Sequence, residues 1–151
     1  MPARLSGRAK DLKSSATVRL ENLAKEMQRQ GLDVLSFALG EPDFSTPPHI
    51  CEAACKAIAE GKTTYTPAAG IPELRGAIAR TVERDYGYSC APEQVVVSNG
   101  GKHALMNVWE SILEPGDEVI IFAPYWVTYP AQIGLCGAKP RVVRTTIDND
   151  F

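Results

Sequence analysis

The stretch VVVSNGGKHALMNVWESILEPGDEVIIF, residues 95–122, decides the fold class of this chain. The apolar run 94–98 has the length and β-branched content of a buried strand, and the turn residues 99–101 follow it. Apolar residues at helical spacing then mark 105–113, and a second buried-type run occupies 118–122. A strand, a helix and a strand in this order form the crossover that joins parallel strands. The stretch therefore predicts an α/β fold with a parallel sheet.

The flanking sequence continues the alternation of helices and strands. Each helix is predicted from apolar residues at i, i+3 and i+4, and each strand from a short apolar run bounded by turn residues. The predicted helices cover 18–30, the segment between Thr46 and Gly61, 72–86 and 129–135, and the predicted strands cover 34–39 and 141–145. Thr17 and Thr46 are the predicted N-caps of the first two helices.

Composition and charge exclude several classes of protein. Hydrophobic residues make up 44% and charged residues 23%, which excludes a disordered or fibrous chain. No apolar run approaches the roughly 18 residues of a membrane span, and the net charge of −2 argues against a nucleic-acid binder. Residues 1–30 carry seven Lys and Arg against three acidic residues. We interpret this as a solvated basic arm and not as a targeting segment, and we expect a cytoplasmic protein.

The four cysteines and two histidines show no metal-ligand spacing. No CxxC pair occurs, and no His stands at the distance from a Cys that zinc sites use. We therefore predict no metal site. Buried free thiols in a reducing compartment are expected at Cys51, Cys55, Cys90 and Cys136. His49 and His103 are expected to face solvent or to hydrogen-bond locally.

The segment Ser98–Lys102 is a candidate phosphate site. It joins a predicted strand to a predicted helix, at the carboxyl end of the strand, where open α/β sheets bind ligands. Gly100 and Gly101 let the backbone approach a ligand, and the helix N-terminus offers N–H groups and the positive end of the dipole. The segment matches neither a Walker A loop nor the dinucleotide GxGxxG pattern. The alternative interpretation is a tight strand–helix turn without a ligand.

The segment Pro124–Pro130 holds three aromatic residues and two prolines just past a predicted strand. An aromatic ring there can stack on a flat ligand, and the alternative is a loop that covers the sheet edge. Together with the glycine turn, this loop predicts a planar ring that carries a phosphate. Gly40 is a candidate for a backbone N–H that points at an anion, whereas Tyr65 alone is equally compatible with a surface aromatic residue.

Four motifs follow one another along the chain: Leu39–Phe44, Tyr65–Arg75, Ser98–Lys102 and Pro124–Pro130. In this order and spacing they resemble the prokaryotic-type aspartate aminotransferases of pyridoxal-phosphate fold type I. The resemblance extends from about Leu5 to Phe151. It implies the N-terminal, incomplete part of a three-layer α/β/α fold with a mostly parallel sheet. Residues 1–45 would contribute to the small domain, and 46–151 would form the first part of the large cofactor-binding domain.

The resemblance assigns four residues to the cofactor pyridoxal 5'-phosphate. Gly101 and Lys102 match positions whose N–H groups hold the phosphate, and Trp126 matches the residue that stacks on the pyridine ring. Tyr65 matches a tyrosine that reaches the phosphate in the neighbouring subunit's site, which implies a homodimer. The implied activity is transfer of an amino group between an amino acid and a 2-oxo acid, in amino acid biosynthesis.

The resemblance also assigns residues to the substrate. The Gly40 backbone matches the position that contacts the substrate α-carboxylate, beside Trp126. Ser15, Thr17 and Lys102 match positions that hold the distal carboxylate of an acidic substrate. Two hydroxyls and an ammonium suit a carboxylate, which implies aspartate as the first substrate and 2-oxoglutarate as a partner. A parent that uses glutamate and prephenate, or an aromatic amino acid, is the alternative within the family.

Part of the family's site has no counterpart in this chain. The asparagine and aspartate that orient the ring, the Schiff-base lysine and the arginine for the α-carboxylate come from a later segment of the family. Of the seven lysines only Lys102 lies in a site motif, so no catalytic residue is predicted here. We expect the N-terminal part of a longer enzyme, inactive alone, with strand 94–98 left unpaired at its edges. The alternative is a non-catalytic binding or dimerisation module.

Overall fold

The computed structural model describes residues 4–12 and 14–151, so Lys13 of the basic arm lies outside the described residues. Six helices and two strands are described: α1 (Gly7–Asp11), α2 (Ala16–Arg29), α3 (Pro48–Ala59), α4 (Pro72–Tyr86), α5 (Gly101–Ile112), β1 (Glu118–Ala123), α6 (Thr128–Leu135) and β2 (Lys139–Arg144). Short 3-10 turns occupy Pro92–Gln94 and Ile147–Asn149. The chain forms two compact units, one comprising Met1–Glu41 with Leu105–Phe151 and the other comprising Pro42–Ala104.

The first unit contains the parallel sheet. β1 pairs with β2 in parallel, from Glu118 opposite Lys139 to Ala123 opposite Arg144, and α6 forms the crossover between them. This arrangement confirms the predicted parallel α/β unit. β1 alternates between its two faces, because Ile121 is buried whereas Ile120 and Phe122 are exposed.

The core of the first unit lies between β1 and the helices that flank it. Ile121 of β1, Ile133 of α6 and Ala138 are buried together. Three partly buried residues pack against this cluster: Trp109, Leu113 and Val119. Gly137 ends the crossover helix at φ +81°, and a Cβ there would lie 3.2 Å from Pro115 Cα. Only glycine therefore combines this backbone conformation with such a close approach of the two loops.

The second unit is held together around the N-terminal half of α4. Arg75 Nε donates hydrogen bonds to the carbonyls of Pro92 at 2.9 Å and Val95 at 3.0 Å. The Val97 N–H donates to the Ala69 carbonyl at 2.9 Å. A Cβ on Gly70, at φ +102°, would lie 2.5 Å from Val97 Cγ2. The segment 95–97 is therefore fixed against the loop that precedes α4.

Two predicted strands are wrong. Segments 34–39 and 94–98 are extended or irregular, and neither pairs with a strand in the described ranges. Phe37 is 93% exposed and Val96 is 63% exposed. An apolar run becomes a strand only when a neighbouring strand takes up its N–H and C=O groups. The sequence therefore identified runs suited to a buried sheet, but the partner strands that such a sheet requires are not among the described elements.

The predicted helices are confirmed, but two predicted N-caps are wrong. α4 has the predicted bounds, with Pro72 at its first position and Gly87 in the left-handed conformation just past its end. α2 begins at Ala16 with Ser15 as N-cap, so Thr17 lies inside the first turn. α3 has Pro47 in place of Thr46 at the N-cap position. The predicted N-caps thus differ from the observed ones by two residues in α2 and by one residue in α3.

The prediction of buried cysteines is also wrong. Cys51 and Cys55 are exposed on α3, and Cys90 and Cys136 are half-buried. The apolar stripe of α3 predicted a buried face, yet Ile50 and Ile58 on this helix are exposed as well. None of the described helices is long and apolar enough to cross a bilayer.

Candidate functional site

The glycine turn ends where α5 begins. Gly100 has φ +82°, and α5 starts at the next residue, Gly101. The Gly100 carbonyl accepts the N–H groups of His103 at 3.1 Å and Ala104 at 3.0 Å, which closes the first turn of the helix. Gly101 and Lys102 begin the helix, and the first N–H groups of a helix point outward along its axis. These first amides can therefore serve an anion.

The space in front of this helix N-terminus is open. Residues 99–103 are exposed, and a Cβ built on Gly100 or Gly101 would meet no described atom within 4 Å. A ligand can therefore approach the backbone directly at both glycines. A phosphate group fits these donors, since it needs several N–H groups and no bulky side chain between them.

His103 fixes the turn from inside the helix. Its Nδ1 accepts the Asn99 N–H at 3.2 Å, which confirms the expected local hydrogen bond of this histidine. Asn99 and His103 are four residues apart, so the bond spans the glycine turn. The sequence analysis did not assign His103 to the site. The sequence does contain a signal for this role. A polar side chain in the first turn of a helix, such as His103, can hydrogen-bond to the backbone just before the helix.

Gly70, in the loop before α4, and Arg75, in the first turn of α4, support the segment that leads into the glycine turn. They fix residues 95–97, which lead directly into Ser98. The sequence analysis quoted both residues within one motif but gave neither a role. Their role depends on tertiary contacts across about 20 residues, which no local pattern reveals.

The aromatic loop lies in the first unit, between β1 and α6. It begins with a cis peptide bond between Ala123 and Pro124. The Trp126 carbonyl accepts the Tyr129 N–H at 3.0 Å, which fixes Trp126 just before α6. Its side chain is 44% exposed, so part of the indole surface is available for stacking on a flat ligand.

Ser15 and Thr17 lie together at the start of α2. The Ser15 and Thr17 hydroxyl oxygens are 2.8 Å apart and share one hydrogen bond. Each hydroxyl has a single proton, so one proton of the pair is used in this bond and the other can be donated to an external acceptor. A carboxylate oxygen is an acceptor of the required kind.

Ser15 also lines a pocket of about 920 Å³ within the first unit. Polar and charged side chains around it come from the arm, α2 and the start of α6: Arg8, Asp11, Ser14, Arg19 and Thr128. Val127, the neighbour of Trp126, lines the same pocket. Arg8 Nη1 donates to the Leu135 carbonyl at 3.3 Å, which connects the arm to the end of α6. The structure thus brings Ser15 and the aromatic loop to one pocket.

The other predicted residues are all exposed. Gly40 lies in the first unit, and a Cβ there would meet no described atom within 4 Å. Tyr65 and Lys102 lie in the second unit, with Tyr65 fully exposed and Lys102 adjacent to Gly101. No group of three or more His, Cys, Asp or Glu that could bind a metal occurs among the described residues.

Two carboxyl groups with lowered pKa values, Glu21 and Glu118, are not among the predicted site residues. The Ser36 hydroxyl, which donates to Glu21 at 2.8 Å, and then Lys25 lower the pKa of the Glu21 carboxyl. Arg141 on β2 hydrogen-bonds Glu118 on β1 and lowers the pKa of that carboxyl. Both carboxylates are ion-paired surface groups, so the shifts describe local stabilisation and not acid–base chemistry.

The chain is similar to the members of one enzyme family. The profile of the family "Aminotransferase class I and II" matches residues 32–151. The chain is 48% identical over 147 residues to the probable aspartate/prephenate aminotransferase of Thermus aquaticus, covering 97% of this chain and 38% of that protein. It is 45% identical over 148 residues to the aspartate aminotransferase of Geobacillus stearothermophilus, covering 98% of this chain and 38% of that protein.

Solved structures show the same relationship. The Thermus thermophilus aspartate aminotransferase with maleate superposes with a TM-score of 0.91 at 48% identity, covering 97% of this chain and 38% of that one. The chain thus spans about 38% of the length of these relatives. The predicted fold class, a partial α/β fold of the aspartate aminotransferase type, is confirmed. The match to residues 32–151 shows that the chain belongs to the class I and II aminotransferase family.

Proposed function

We propose that this chain is part of a longer enzyme, here called the parent enzyme, which transfers an amino group between a dicarboxylic amino acid and a 2-oxo acid. Aspartate is the proposed first donor and 2-oxoglutarate the proposed acceptor. The observation that carries the proposal is the 45–48% identity, over at least 97% of this chain, to proteins named aspartate or aspartate/prephenate aminotransferases. Because the chain spans 38% of their length, the activity belongs to the parent enzyme.

The proposed cofactor is pyridoxal 5'-phosphate, which supplies an electron sink for the chemistry at the substrate when it is bound. The exposed N-terminus of α5 supports a phosphate site, with the amides of Gly101 and Lys102 as donors. The half-exposed ring of Trp126 supports stacking on the pyridine ring. Tyr65, fully exposed here, is proposed to reach the phosphate of the neighbouring subunit in a homodimer.

The proposed substrate contacts divide between the two carboxylates. The Gly40 backbone and Trp126 would contact the α-carboxylate side. The hydroxyl pair of Ser15 and Thr17 and the ammonium of Lys102 would hold the distal carboxylate. The 2.8 Å hydroxyl pair supports this role, because it leaves one hydroxyl proton to donate and orients both oxygens through a single bond.

Prephenate is the second candidate substrate. It carries two carboxylates, as aspartate does, so the same hydroxyls and ammonium suit it. Several relatives favour it by name, among them the aspartate/prephenate aminotransferase of Thermus thermophilus and a bifunctional aspartate and glutamate/aspartate-prephenate aminotransferase from Petunia hybrida. We also propose that the parent enzyme is cytoplasmic. Residues 1–45 are proposed to contribute to its small domain, and residues 46–151 to form the first part of its large domain.

A chimera tests the proposal directly. This chain replaces the matching N-terminal 38% of the Thermus thermophilus relative, and amino transfer to 2-oxoglutarate is measured with pyridoxal 5'-phosphate present. We expect transfer from aspartate, and we expect transfer from glutamate to prephenate if the second candidate is correct. A folded chimera that binds the cofactor but uses only apolar amino acids would contradict the dicarboxylate assignment.

A further inference from the structure

Two cysteines lie one helical turn apart on α3. Cys51 and Cys55 are both exposed, and residues at i and i+4 project from the same face of a helix. The other two cysteines are half-buried and lie elsewhere: Cys136 follows α6 and Cys90 precedes the 3-10 turn Pro92–Gln94. The four thiols therefore comprise one exposed pair and two separate partly covered thiols.

The geometry of the pair excludes a disulfide while α3 remains helical. Cβ atoms at i and i+4 lie about 5–6 Å apart. A disulfide requires Cβ atoms about 3.5–4.5 Å apart, so an S–S bond would have to distort the helix. A central atom bonded to both sulfurs spans a longer gap: with bonds as long as the zinc–sulfur bond of about 2.3 Å, at a roughly tetrahedral angle, the sulfurs lie about 3.8 Å apart. The spacing thus suits an S–X–S bridge and not an S–S bond.

Both thiols are available for such a bridge. The Cys51 Sγ donates to the Thr46 carbonyl over 3.7 Å, a long and weak contact that is easily replaced. The Cys55 thiol is exposed and forms no disulfide. Since no three-ligand cluster is described around them, the pair suits a centre that needs only two sulfurs. Thiolates select soft, thiophilic centres of this kind over hard cations.

We propose that Cys51 and Cys55 form a two-thiol binding site for trivalent arsenicals. With phenylarsine oxide as the probe, two arsenic–sulfur bonds replace the arsenic–oxygen bond. The oxygen leaves with the two thiol protons as one molecule of water. Arsenic stays trivalent and both sulfurs keep their oxidation state, so the reaction requires neither an oxidant nor a reductant. The site is independent of the proposed aminotransferase function.

Titration of the native chain with phenylarsine oxide tests this site, with free thiols counted and the adduct located by peptide mass mapping. We expect the first equivalent to remove two of the four thiols and to bridge Cys51 and Cys55. Cys51→Ser and Cys55→Ser should each weaken binding about 100-fold or more, because the second bond is intramolecular. Cys90→Ser and Cys136→Ser are the matched controls and should bind as the native chain does. A bridge that involves Cys90 or Cys136 would overturn the proposal.

A second variant tests the helical geometry itself. The double substitution Cys55→Ser and Ala53→Cys keeps four thiols but moves the second one to i+2, on another side of α3. We expect this variant to lose affinity as strongly as Cys55→Ser alone. Binding equal to that of the native chain would mean that a flexible segment, and not the α3 face, brings the sulfurs together, and it would refute the inference.

Discussion

Substitution of Gly70 by alanine should loosen the support of the candidate phosphate site. Gly70 has φ +102°, where a side chain costs about 1–2 kcal/mol. The added Cβ would also lie 2.5 Å from Val97 Cγ2 and 2.9 Å from Val97 Cβ. Relief of such overpacking costs a further 1–3 kcal/mol, approximately, so the total is about 2–5 kcal/mol. The contact between Gly70 and Val97 should therefore open in the variant.

Gly116 provides a matched control. Its φ is +103°, but a Cβ there meets no described atom within 4 Å, so Gly116→Ala carries the backbone cost alone. Hydrogen exchange of one backbone amide near each glycine measures how far the substitution opens the structure at that place. The Val97 amide donates to the Ala69 carbonyl at 2.9 Å beside Gly70, and the Lys139 amide donates to the Asp117 carbonyl at 2.8 Å beside Gly116.

We expect Gly116→Ala to accelerate exchange of the Lys139 amide about 5- to 30-fold. Gly70→Ala should accelerate exchange of the Val97 amide by a further factor of about 5 to 150, which corresponds to the added contact cost of 1–3 kcal/mol. Adding Val97→Ala removes the 2.5 Å contact and should restore part of the protection. If Gly70→Ala accelerated exchange no more than Gly116→Ala did, the close approach would not support the segment 95–97.

Three further predictions concern the proposed site. Lys102→Ala in the parent enzyme should lower kcat/KM for aspartate about 10- to 100-fold more than for an apolar amino acid, because one charge-assisted contact contributes about 1.5–3 kcal/mol. Equal losses for both substrates would contradict the role of Lys102 in holding the distal carboxylate. Trp126→Phe should retain cofactor affinity that Trp126→Ala loses, since stacking requires an aromatic face, and equal damage would indicate a role for the indole N–H. When the 151-residue chain is mixed with pyridoxal 5'-phosphate and reduced with borohydride, mass mapping should find no stoichiometrically labelled lysine. One labelled lysine, together with turnover of aspartate and 2-oxoglutarate, would show that this chain carries the catalytic amine.

The parts of the fold that local chemistry determines could be predicted from the sequence. α4 was predicted with its observed bounds, because Pro72 suits the first position of a helix and Gly87 adopts the left-handed conformation that ends one. β1 could be predicted because its buried partners are close in the chain. The segments 34–39 and 94–98 could not, since strand formation depends on a pairing partner and not on the run itself.

The same distinction applies to the candidate site. The glycine turn before α5 could be recognised locally, because a left-handed glycine followed by a helix is a short-range pattern. The bond from the Asn99 N–H to His103 Nδ1 and the two bonds from Arg75 Nε depend on side-chain geometry and on loops about 20 residues apart. The exposure of Cys51 and Cys55 was missed because an apolar helical stripe predicts burial only when another element covers it.

The two tryptophans of this chain occupy contrasting environments, which gives it a pair of built-in optical probes. Trp109 packs against the buried cluster of the first unit, with its Nε1 shielded from solvent, whereas Trp126 is half-exposed on the aromatic loop. Indole emission shifts to longer wavelength in water and is quenched by soluble quenchers only where they can make contact. In Trp126→Phe, the remaining emission should be blue-shifted, resistant to acrylamide and sensitive only to unfolding of the core. In Trp109→Phe, it should be red-shifted and readily quenched, and a ligand stacked on the loop should suppress it without any unfolding.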